Sequence, residues 1–322
     1  MRYINFIYFI AIFTIFSCED NNDLVLENCT SDYSTSNILT NIDEEIFNND
    51  ESVQSLSIFS WTENDDNRIL VGNGIPNHEV GTFPNSGNPN TISAQDINET
   101  FTLCPEVVSN NGVNVNGPAQ IIAYAINSVK FDPGTAGRCN DDGVCRLAQG
   151  QGNWNIEALG HNTFDFGDDM NHAHVQPNGQ YHYHGIPELL VDFLGSNQGI
   201  TLVGWAADGF PVYARYGFSN SFDANSSIIE LQPSYQLKSE GDPGRPDILT
   251  SLVGGPGQGT SNPNIPIPLG AFTQDFEYIE GSGDLDECNG RFGVTPEFPN
   301  GIYHYVVTDS FPFVSRCLKG NF

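Results

Sequence analysis

The stretch Asn171–Gly185, NHAHVQPNGQYHYHG, constrains its own backbone more tightly than any other part of the chain. Pro177 holds φ at about −65° for the first corner of a turn, and Asn178 suits the second. Gly179 accepts the left-handed conformation that follows a type I turn, giving a three-residue loop closed by a bulge. That register pairs Gln176 with Gln180 and Val175 with Tyr181, so His174 faces His182 and His172 faces His184. Side chains alternate across a strand. All four imidazoles then share one face, while Ala173, Val175, Tyr181 and Tyr183 share the other. A two-residue Asn-Gly turn would slip the register and divide the histidine pairs between the faces. Pro177 fits a corner better than a strand end, so the longer loop is expected. These four histidines are most of the seven in 322 residues.

Imidazoles on one face of a hairpin have cross-strand Cβ separations of about 5 Å. Metal–nitrogen bonds of about 2.0–2.1 Å then let two or three rings meet at one ion. Neutral imidazole suits zinc, copper, iron or nickel. The expected ligands are His172, His174, His182 and His184. A second segment, PNGIYHYV (Pro299–Val306), echoes PNGQYHYH (Pro177–His184) and puts His304 where His182 stands. His304 is a further ligand if the two hairpins face each other. Asp168 and Asp169, just upstream, can ligate or accept a ring N–H. The competing reading is a tyrosine–histidine ladder held by hydrogen bonds alone. His78 and His161 read as surface or core histidines, and Asp208 as a turn residue that bonds its own backbone.

The chain carries 11 basic against 40 acidic residues, a net charge of −29, which excludes nucleic acid as a partner. Calcium at the acidic runs Asn140-Asp141-Asp142, Asp168-Asp169 and Asp284-x-Asp286 is a secondary expectation, though none has the spacing of an EF-hand loop. Polarity comes mainly from Asn, Gly, Ser, Thr and Pro, which favours short strands and turns. The expected fold is mainly β: a single antiparallel β-rich domain with many hairpins, long loops and one or two short helices. Strands are expected over Val53–Trp61, on both sides of Asn127-Ser128, on both sides of Asp208-Gly209, and at the C-terminus. Helices are expected over Ile186–Gly195, with Leu189, Leu190 and Phe193 on one face, and over Gly152–Gly160. Residues 239–268 read as a long loop.

The first residues, MRYINFIYFIAIFTIFSC, read as a signal peptide, and Ser17-Cys18 resembles a lipobox. The expected divisions are residues 1–18 as a lipoprotein signal with Cys18 lipidated, 19–50 as a flexible acidic tether, and 51–322 as the β-rich domain. The acidic run Glu19–Asp23 resembles a surface-export signal. An outer-membrane lipoprotein follows, facing the periplasm or the cell surface. Its partners are a metal ion and a membrane reached through the lipid alone; the residues name no protein or glycan partner. Six further cysteines in an exported chain suggest disulfides. Cys139–Cys145 and Cys288–Cys317 are expected from position, and Cys29–Cys104 by elimination. A zinc-thiolate site is the rival use, but no CxxC occurs.

AHVQPNGQYHYHG, WAADGFPVYARYG and LDECNGRFGVTPEFPNGIYHYVVTDSFPF together resemble the YHYH-domain family of bacterial secreted proteins and lipoproteins, over about residues 105–318. The resemblance implies an exported, mostly β domain, with His174, His182, His184 and His304 as functional positions. It supplies no reaction, and His172 is less clearly part of the motif. Three uses are open. The first is transition-metal binding or handling, with copper or zinc. The second is a metal-dependent hydrolase or oxidoreductase, with Glu188 or Asp169 the nearest base. The third is a glycan- or protein-binding module with structural histidines and Trp154, Tyr183 and Trp205 as contact aromatics. There is no HExxH, nucleophile elbow or P-loop.

Overall fold

Period-two alternation drives Ser55–Glu63 into a strand. In SLSIFSWTE, Ser57, Phe59 and Trp61 are buried while Leu56, Ile58 and Thr62 face out. The structure is a computed structural model that describes residues 42–64, 66–108, 113–114, 121–195, 199–254 and 259–321. Strands β1 (Ile42–Asn48), β2 (Ser55–Glu63), β3 (Asn67–Gly72) and β4 (Ile97–Thr102) form an antiparallel meander in chain order. Strand β1 thus lies inside the stretch expected to be tether. Asp43, Glu44 and Glu45 hid the strand, because such charges suit an exposed sheet edge. Asn48 anchors it, donating its side-chain amide to the Pro76 and His78 carbonyls.

The rest of the chain adds β5 (Val113–Asn114), β6 (Ala123–Ala125), β7 (Lys130–Phe131), β8 (Arg138–Cys139), β9 (Val144–Arg146) and β10 (Trp154–Asn155). Next come β11 (Ala173–Val175), β12 (Tyr181–Tyr183), α1 (Glu188–Phe193), β13 (Thr201–Ala206) and β14 (Pro211–Ala214). An eight-stranded sheet runs in the order β11-β12-β7-β6-β13-β14, then Ile302–Val307, then Gly290–Gly293. The two YHY segments thus occupy the strands next to its two edges. A five-stranded sheet is built on β10, β8 and β9 with Ser251–Val253 and Thr260–Ser261.

The fold is mainly β, as expected, with one short α-helix among the described residues. Pairing is mostly antiparallel. Parallel contacts join β12 to β7, β14 to Ile302–Val307, and β9 to Ser251–Val253. The turns at Asn127-Ser128 and Asp208-Gly209 form as expected, joining β6 to β7 and β13 to β14. Three local expectations are corrected. Gly152–Gly160 is not helical: Trp154 and Ile156 are buried two residues apart, a strand period, within the core of the five-stranded sheet. In α1 the buried residues are Leu190 and Val191, and Phe193 is exposed. Residues 239–268 hold short strands at Ile248–Leu249, Ser251–Val253, Thr260–Ser261 and Ile265–Pro266. Proline and glycine limit their length there.

Cys139–Cys145 and Cys288–Cys317 are disulfide-bonded. The expected partner of Cys104 is Cys29, which lies outside the described residues, as do Cys18 and the rest of the signal and tether up to residue 41. No helix among the described residues is long and apolar enough to cross a membrane. The two bridges close loops of 6 and 29 residues. Chain-entropy reasoning assigns about 2.2 kcal/mol to the shorter and about 3.6 kcal/mol to the longer. Urea denaturation of the paired Cys→Ser variants should therefore show the larger loss for Cys288/Cys317. A larger loss for Cys139/Cys145 would contradict that ordering.

Candidate metal centre

The turn forms in the long-loop register. Gln176 N–H donates to Gln180 O at 2.9 Å and Gly179 N–H to Gln176 O at 2.8 Å, with Gly179 at φ +84°. Val175 pairs with Tyr181 and His174 with His182. The tyrosines enter the core. Tyr181 donates to Asp169 Oδ2 at 2.7 Å, and Tyr183 bonds His78 Nε2 at 2.6 Å and Asn127 Nδ2 at 3.0 Å.

On the other face His174, His182 and His184 converge. Their ring centroids are 4.6–4.7 Å apart. Nε2 of His184 lies 3.0 Å from Nε2 of His182 and 3.2 Å from Nε2 of His174. The outward nitrogens have acceptors. His174 Nδ1 donates to Asp168 Oδ1 at 2.6 Å, His182 Nδ1 to Gln180 O at 3.2 Å, and His184 bonds the Asp132 main chain. With the protons on the far side, three bare Nε2 lone pairs point at one another. Two nitrogens on a tetrahedral ion at about 2.05 Å are separated by about 3.3 Å, so a shared cation fits this spacing.

Burial pushes His182 and His184 well below the ordinary imidazole range, and the neighbouring histidines and Lys130 push the same way. Neutral rings are the form that ligates. Phe166 stacks on His174 at 5.9 Å, limiting ring rotation. The trio is the one group of three or more His, Cys, Asp or Glu among the described residues placed to hold an ion.

Other expected residues go elsewhere. His172 pairs its backbone with His184, but its φ of +53° turns it out of the strand, and its Nδ1 bonds Ile186 O at 2.9 Å. His304 lies in Ile302–Val307, five strands from β12, on the order of 24 Å at the usual strand spacing. It is buried against Tyr213, and its Nδ1 bonds Ile302 O. Burial lowers its pKa to about 4, and nearby Arg291 adds to the shift. The hairpins therefore do not face each other. In the echoed hairpin Arg291 occupies the place opposite His304 that His174 takes opposite His182, and Val306 takes the place of His184.

Asp168 is held against the trio, but Asp169 serves the tyrosine face, accepting from Tyr181 and from Gly81 N–H. Glu188 is ion-paired with Arg215. Asp208 accepts from the Phe210 amide, as a turn residue would, and also from Tyr305 and the Gly320 amide. Trp154, Tyr183 and Trp205 are buried and form no contact surface. In the acidic runs, Asp141 accepts from the Trp154 indole, Asp284 from Gln232 N–H, and Asp286 from Tyr303.

Two of the trio, His174 and His182, line a cleft of about 600 Å³ together with Phe166, Gln176 and Asp132 among others. Asp132 accepts from Lys130 at 3.2 Å and from Gln176 at 3.0 Å. Burial pushes Asp132 up and Lys130 down, and each charge opposes the other's shift. Sequence reasoning missed this pair. Its signal was an acid and a base two residues apart, flanking one phenylalanine, in an otherwise apolar strand.

These features define a mainly β protein with a three-imidazole cluster at a cleft. A family model described as YHYH protein matches residues 100–320, more than half of the chain, and the chain belongs to that family. Comparison with curated proteins and with solved structures found no match.

Tyr181 is fully buried and donates to a carboxylate. Tyr181→Phe should lower unfolding free energy by about 1.5–3 kcal/mol, the range for a hydrogen bond to a charged group. Urea denaturation measures it; an unchanged value would show that the bond contributes nothing.

Proposed function

We propose that the chain binds one transition-metal ion, zinc or copper, through Nε2 of His174, His182 and His184. One observation carries this: three imidazole nitrogens face one another at 3.0 and 3.2 Å while the outward nitrogens of the same rings hold hydrogen bonds. An ion removes the lone-pair repulsion and suits neutral nitrogen donors. The Asp168 carboxylate orients His174 and raises its basicity, as carboxylates behind metal-bound histidines do. The ion's role is capture or handling. A second reading, metal-dependent hydrolysis or redox chemistry, is favoured by the cleft: three protein ligands leave a coordination position, and the cleft gives small molecules a path to it.

Metal analysis of the purified protein tests the centre. The wild type and His172→Ala should each retain about one ion per chain, His182→Ala/His184→Ala should retain none, and Asp168→Asn should bind about 10–100-fold more weakly. Equal metal content in the wild type and the double variant would end the proposal.

We also propose that the chain is exported and anchored in the outer membrane by lipid on Cys18. The apolar leader ending in Ser17-Cys18 and the two disulfides support this reading. Wild type should partition into the detergent phase and Cys18→Ser into the aqueous phase. Aqueous partition of both would remove the anchor.

A further inference from the structure

The cleft extends beyond the three histidines. A second pocket of about 330 Å³ adjoins it and shares Pro89, Asn90, Pro177 and Asn178. The two together form a groove that starts at His174 and His182 and runs over the hairpin loop toward Thr91 and Ser93. Both volumes lie within the range of ligand sites.

The lining restricts what can bind. No Lys or Arg lines either pocket. Asp132 is the one charged residue of the lining histidines aside, and buried Lys130 offsets it. A phosphorylated or sulfated polymer finds no counter-charge there, and a net charge of −29 repels it further. The larger pocket is walled mostly by apolar surface from residues such as Leu147, Phe166, Val175 and Val253, which suits the C–H faces of sugar rings. The polar part of the groove consists of amides and hydroxyls such as Gln149, Gln176, Asn178, Thr91 and Ser93. An amide offers donors and an acceptor, and a hydroxyl is both at once. That is the complement of a hydroxyl-rich neutral ligand.

An extended peptide is disfavoured by the sheet edge. Strand β11 lies at the end of the eight-stranded sheet, where a peptide would add a strand. Its carbonyls are already taken. Val175 O accepts from Asn88 Nδ2 at 3.0 Å and Asn90 Nδ2 at 2.7 Å, and Ala173 O accepts from Asp169 N–H at 2.9 Å.

We propose that this groove binds a neutral oligosaccharide, lying across the hairpin loop with one hydroxyl directed at the open position of the ion. The hydroxyl contact rests on the metal reading above; the groove contacts do not. Thr91 is exposed and Ala136 half-buried, both line the groove, and neither touches the histidines in the hydrogen-bond network. Tryptophan at either position obstructs the groove and spares the ligands.

The test is calorimetry of the zinc-loaded full chain with hexasaccharides of glucose, mannose and N-acetylglucosamine, alongside polyphosphate and an unstructured neutral peptide. At least one hexasaccharide should bind. Its affinity should fall at least about tenfold in Thr91→Trp and Ala136→Trp, a change of about 1.4 kcal/mol, with zinc content unchanged. Chelating the zinc should weaken binding without abolishing it. No hexasaccharide binding by a chain that holds its zinc would overturn the proposal and leave the metal centre standing. Unchanged affinity in both tryptophan variants, or binding of polyphosphate or peptide in place of sugar, would overturn it equally. Sugar binding by a chain that takes up no zinc would remove the hydroxyl contact and the metal centre together.

Discussion

The register of one hairpin governs the site. Gly179 sits at φ +84°, and a Cβ there would lie 1.9 Å from Ser93 Oγ, so the loop demands glycine for its backbone and for its close neighbour. Five residues from Gln176 to Gln180 separate the pairs, and that odd number decides which side chains go in and which go out. Tyr181 and Tyr183 enter the core and lock the hairpin by their hydroxyls. His174, His182 and His184 are left on the other face, with the Nε2 atom of His184 3.0 and 3.2 Å from those of the other two. A one-residue slip would exchange the two sets and destroy both.

The second YHY segment shows what the tyrosines do without a histidine trio beside them. Tyr303 and Tyr305 donate to Asp286 and Asp208, as Tyr181 donates to Asp169. Two buried tyrosines with hydrogen-bonded hydroxyls, at least one of them aimed at a carboxylate, are thus a repeated way of fixing a strand in this core. His304 between them is buried and has Arg291 opposite and Val306 two residues on. A cation and an apolar side chain stand in place of two imidazoles, so a three-histidine group like the first is not assembled there. The histidines are therefore separable from the scaffold that presents them, which supports a functional role for the first trio.

Much of this was legible in the residues. Pro177, Asn178 and Gly179 encode the turn, and strand alternation then brings three of the four histidines of that hairpin together. His172 could not be placed, because its positive φ reflects a local exit from the strand that no period announces. His304 could not be placed either, since the order of strands between the hairpins is a long-range property. The strand β1 was hidden by its acidic residues, which local composition assigns to solvent. The Lys130–Asp132 pair and the cleft depend on segments far apart in sequence. Asn88, Gln149 and Gln176 carry no pattern that marks them as neighbours.

The central claim is an ion held by three Nε2 atoms. Anomalous diffraction from crystals of the purified protein, collected on both sides of the zinc and copper absorption edges, tests it most directly. The account predicts one strong anomalous peak at about 2.0–2.1 Å from Nε2 of His174, His182 and His184. A metal-soaked crystal with no peak there, or with the peak at His172, His304 or an acidic loop, would contradict it.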